Sequence, residues 1–74
     1  MITYVLERSG VPWDVRFFIR WDGGRGSAPK PIFGRLGAAM VFTDETEAYE
    51  MRDSISNING FYCRVEAEEI EDGR

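Results

Sequence analysis

One segment of the chain, "DETEAYEMRDSISNING" at 44–60, carries a helical period, and the runs on either side of it alternate with a period of two. Ala48, Met51, Ile55 and Ile58 recur at three- and four-residue steps and mark an inward stripe. Glu47, Glu50, Asp53, Ser54 and Asn57 lie away from that stripe. Asp44 stands where a helix is capped, and Glu47 stands at the third helical position, the spacing of a capping box. Carboxylates in the first turn also suit the positive end of the helix dipole. Asn59-Gly60 supplies the stop.

A lone amphipathic helix buries its stripe only against another element, and the alternating runs supply a sheet. "ITYVLER" (2–8) places Ile2, Tyr4 and Leu6 on one face and Thr3, Val5 and Glu7 on the other. Gly10 and Pro12 then break the run. In "DVRFFIRW" (14–21), Val15, Phe17, Ile19 and Trp21 read as buried, with Asp14, Arg16, Phe18 and Arg20 outward. The spacing of these two runs fits an antiparallel hairpin. "AAMVF" (38–42) is a short apolar strand candidate. "FYCRVEAEE" (61–69) places Phe61, Cys63, Val65 and Ala67 inward and Tyr62, Arg64, Glu66 and Glu68 outward. Between the second and third candidates, residues 22–37 hold five glycines and two prolines in sixteen positions, which predicts a flexible loop. Residues 70–74 read as a frayed acidic tail.

The expected fold is therefore α+β. An antiparallel sheet of three or four strands, in the order β-β-(β)-α-β, has one amphipathic helix packed on one face. With 74 residues, the whole of 1–74 forms a single small domain. Its core has to do the work alone. One cysteine, Cys63, cannot form an internal disulfide, and without histidine it cannot build a structural zinc site. No cofactor or metal is expected. No run approaches the roughly 18 apolar residues of a membrane span. "MITYVLERSG" has neither the basic region nor the apolar run of a secretion leader. With a lone thiol, these features lead to the expectation of a cytoplasmic protein.

Charge is distributed unevenly. Residues 1–41 hold six basic and three acidic groups, a net +3, and residues 42–74 hold three basic and ten acidic groups, a net −7. Such polarity bears on partners rather than on fold. If the last strand lies beside the helix, Glu45, Glu47, Glu50 and Asp53 would join Glu66, Glu68 and Glu69 in one negative surface fit for a basic partner. Arg25, Phe33 and Arg35 in the 22–37 loop form a second candidate contact. That loop has neither GxxxxGK[ST] nor a GxGxxG opening a helix, so it does not read as a nucleotide site. Catalysis has no base to stand on: Cys63 points inward on its strand and has no histidine partner, and we expect no enzyme activity.

A rival reading uses the open sheet face. Phe18 flanked by Arg16, Arg20 and Arg64 could stack bases as a small nucleic-acid-binding module. The net charge of −4 and the missing glycine–aromatic pattern of a recognition strand weigh against nucleic acid as the partner. A third reading buries Phe18 and Tyr62 in a homodimer of a self-associating structural protein.

"VFTDETEA" (41–48), a helix and "NGFYCRVEAEE" together resemble small acidic proteins encoded by phages, in particular the anti-CRISPR inhibitors. The resemblance spans residues 38–69 and is one of physical pattern. It implies a non-catalytic inhibitor or modulator, acting in the host cytoplasm. Such a protein binds a partner with a basic surface, such as a CRISPR effector complex, by occupying a nucleic-acid channel or a subunit contact.

Overall fold

The computed structural model describes residues 2–23, 26 and 28–69, with Glu69 described by its backbone alone. The Arg25 contact and the tail at 70–74 lie outside the described residues. The fold is α+β, as the periodicities predict. Strands β1 (Ile2–Arg8), β2 (Phe17–Asp22), β3 (Lys30–Gly34) and β4 (Cys63–Glu69) form one antiparallel sheet in the order β3-β2-β1-β4. Helix α1 (Glu45–Asn59) packs across β4, β1 and β3.

The helix forms where its sequence signals place it. Asp44 has extended backbone, and its carboxylate accepts a 2.9 Å hydrogen bond from the Thr46 N–H. At the other end Gly60 takes φ 74°, left-handed backbone that glycine adopts without cost, and its N–H donates to the Ser56 carbonyl at 2.8 Å. Ala48 and Ile55 are fully buried and Met51 is half-buried, so most of the stripe faces inward. Ile58 does not: it is 46% exposed.

The core gathers Leu6, Phe18, Phe42, Ala48, Ile55 and Cys63, flanked by Tyr4, Trp21, Phe33, Met40, Met51 and Val65. The Trp21 indole N–H donates to the Met51 sulfur at 3.2 Å, tying β2 to the helix. Here the faces of β2 depart from the alternation. Phe18 is 0% exposed and belongs to the core, not to an open face. The register shifts between Phe18 and Arg20, with Phe18 opposite Phe33 and Trp21 opposite Pro31. That bulge lets Phe18 and Trp21, three residues apart, share the helix-covered face. Phe17 is buried on the opposite face, where the Trp13 ring stands against it edge-to-face at 5.2 Å. Residues 14 and 15, expected to open this strand, instead belong to a 3-10 turn (Trp13–Val15) that leaves Val15 exposed.

Two further segments differ from expectation. The glycine- and proline-rich loop contains β3, a full strand. Its Pro31 is tolerated because β3 is an edge of the sheet. Its Gly34 packs against the tip of Ile19, whose Cδ1 would have to move to admit a Cβ there. Residues 38–42, expected as a strand, end a 3-10 turn (Leu36–Ala38) and then make one isolated bridge. Strands β1 and β2 pair only at Glu7 and Phe17 and then diverge. The chain at 40–42 enters the gap: the Met40 N–H donates to the Phe18 carbonyl at 2.9 Å, and Tyr4 and Phe42 exchange two 2.8 Å backbone hydrogen bonds. A strand would need a straight partner edge, and the fork offers two short ones.

Candidate functional site

The exposed carboxylates of α1 form the most coherent charged feature among the described residues. Glu45 and Glu47 occupy the first turn, and Glu47, Glu50 and Asp53 follow at successive three-residue steps. Residues at that spacing are neighbours on a helix surface. All four are exposed. Arg52 is the one guanidinium on the helix. It contacts Asp53 at 3.0 Å and lies over the Tyr49 ring at 4.7 Å.

Glu66 and Glu68 of β4 do not join this row. Pairing sets Thr3 opposite Glu68, Val5 opposite Glu66 and Glu7 opposite Arg64, so these six residues share one face of the sheet. Leu6, Cys63 and Val65 occupy the other face, against the helix. The single contiguous surface expected from sequence therefore divides in two. One part is the outside of α1; the other is the sheet face turned away from it. The physical reason is the strand's period of two, which sends Glu66 and Glu68 away from whichever side Val65 packs. Glu66 is also partly neutralised, with Arg64 Nε 3.4 Å from its carboxylate.

That sheet face is closed to base stacking. Phe18 lies beneath the helix, Val5 is 2% exposed, and the arginines are engaged. Glu7, 13% exposed at its side chain, sits between Arg16 at 3.6 Å and Arg64 at 3.1 Å. Arg16 also donates to the Val11 carbonyl at 2.7 Å, and Arg20 contacts Asp22 at 3.5 Å. The proposed platform of Phe18, Arg16, Arg20 and Arg64 is thus not assembled. The homodimer face of Phe18 with Tyr62 fails for the same reason. Tyr62, at 84% exposed, precedes β4 rather than belonging to it.

The loop contact also changes character. Phe33 is a β3 residue packed on the core, half-buried, with its ring edge-to-face against Phe18 at 6.0 Å. The Arg8 guanidinium lies 4.6 Å from the centres of both the Phe33 and Phe61 rings, a cation held between two aromatic faces. Arg35 remains exposed, at the entry to the 3-10 turn. Nothing local signalled the Glu7 hub or the Arg8 clamp, because their partners Arg16, Arg64, Phe33 and Phe61 are gathered only by the pairing of the strands.

Cys63 borders a shallow groove of about 290 Å³ lined by Arg52, Asp53, Ser56 and Tyr62. Burial pushes its thiol up from the ordinary value, and the Arg8 charge opposes that in part. The proton is therefore held at neutral pH, the reverse of an activated nucleophile. Among the described residues no group of three or more His, Cys, Asp or Glu side chains could hold a metal ion. None of their helices is long and apolar enough to cross a membrane.

No family model, curated protein or solved structure matches this chain.

Proposed function

We propose that the protein is a non-catalytic inhibitor or modulator that docks the outer face of α1 on a basic surface of a nucleic-acid-handling complex. The observation that carries this reading is the exposed row Glu45, Glu47, Glu50 and Asp53. Like charges at three-residue steps weaken a helix by a few tenths of a kcal/mol per pair. Asp44 already caps the helix and Arg52 pairs with Asp53, and neither accounts for Glu50. A partner surface bearing lysine or arginine would turn this local cost into attraction and speed the encounter.

The resemblance to phage-encoded anti-CRISPR inhibitors supports the class of partner, a CRISPR effector complex or similar assembly with a basic channel in the host cytoplasm. Glu66 and Glu68 drop to a separate role, since they face the other way. The test is capture of such a complex from host lysate by the tagged protein. E47R/E50R should abolish capture, raised salt should weaken it, and E68R on the far sheet face should leave it intact. If E47R/E50R captures as much as wild type, the helix face is not the contact and the reading fails.

A further inference from the structure

In the order β3-β2-β1-β4, strand β4 has β1 on one side, and among the described residues no strand pairs with its outer edge. Exposed edges are ordinarily guarded by charged side chains, proline, a bulge or a short strand. β4 has no proline and no bulge, and its guard is charge alone, Arg64, Glu66 and Glu68. Its seven residues "CRVEAEE" run in unbroken register with all of β1, from Arg8 opposite Cys63 to Ile2 opposite Glu69. An edge this long and regular is a template for another strand.

The charges on the edge say which strand. We propose that β4 pairs antiparallel with β4 of a second copy, about a two-fold axis through Val65. In that register Arg64 stands opposite Glu66 of the second copy, and Glu66 opposite its Arg64. Centring the axis on Arg64 or on Glu66 would instead set a residue against its own like-charged copy. Opposite charges facing across an antiparallel pair stabilise it, and like charges oppose it. Arg64 uses Nη2 toward Glu7 and Nε toward Glu66 of its own chain. A guanidinium carries five N–H donors, so it has capacity for one more carboxylate.

The helix-side face agrees with the charges. There Val65 meets Val65, and Cys63 meets Ala67 of the second copy. Ala67 is exposed and Val65 only half-buried in a single chain, so pairing extends the apolar strip. A two-fold axis normal to the sheet keeps both helices on one side and yields a continuous eight-stranded sheet. This inference is independent of the docking role of α1.

The register supplies its own test. In A67C the new thiol would face the native Cys63 of the other copy. Within one chain the two positions are about 13 Å apart along the strand, beyond disulfide reach. Catalysed oxidation of A67C should give a covalent dimer on a non-reducing gel, and C63A/A67C should give none. By sedimentation equilibrium the wild type should be a dimer, E66R should bind itself about tenfold more weakly, and R64E/E66R should recover. A monomeric wild type overturns the proposal. So does A67C that stays monomeric under oxidation, or cross-linking undiminished in C63A/A67C.

Discussion

Glu7 shows how much a single residue can depend on pairing. On its strand it reads as an outward polar residue, yet two arginines from other parts of the sheet converge on it. Burying a carboxylate costs free energy unless it is paired and hydrogen-bonded. Glu7→Gln removes that charge and leaves two guanidiniums less well satisfied. It should lower unfolding free energy by about 1 kcal/mol, discounted because Arg64 is largely exposed. Chemical denaturation checks this, and a variant as stable as wild type would mean the hub is ornamental. Phe18 teaches the converse. Flanked by charged residues, it looked like a base-stacking ring, and the bulge beside it turned it into the core.

At the scale of the element, α1 was legible from its period and its ends. The Asp44 cap, the Gly60 stop and the buried Ala48 and Ile55 all follow from local spacing. Where local spacing misled was the last turn, since Ile58 continues the stripe and is nonetheless exposed. Ile55→Ala should therefore cost about 3 kcal/mol, a buried methylene loss plus a cavity. Ile58→Gln should change stability by less than about 0.5 kcal/mol. Thermal unfolding followed by circular dichroism separates the two, and equal losses would contradict the packing described. The strand β3 was hidden by its own composition. Pro31 and Gly34 count against a strand by propensity, but an edge position excuses the first and the tip of Ile19 fills the space beside the second.

Across the whole molecule, Phe42 is the joint. It bridges to β1 through Tyr4, sits in the core beneath the helix that begins three residues later, and closes the fork between β1 and β2. A domain this small retains roughly 3–5 kcal/mol of net stability. Phe42→Ala, at a cost of about 3 kcal/mol, should leave a large unfolded fraction at ambient temperature. Loss of amide protection at both Tyr4 and Ile55 in hydrogen exchange would show it, whereas protection lost at Tyr4 alone would mean the fork opens without the core. The proposed surfaces belong to this scale too: two carboxylate groups on opposite sides of the sheet, and a strand edge whose charges complement themselves.

The amino-acid sequence by itself determined the single helix, both of its caps, the core-facing Leu6, Cys63 and Val65 of β1 and β4 and the α+β class. These depend on spacing within a few residues, where backbone geometry leaves little choice. Only the tertiary structure decided which face of β2 is buried, that Lys30–Gly34 is a strand, that residues 40–42 close a fork, and that the acidic groups divide. Each of those turns on a bulge or a pairing between segments far apart in the chain. A one-residue shift there reverses every side chain that follows, and no local pattern records it.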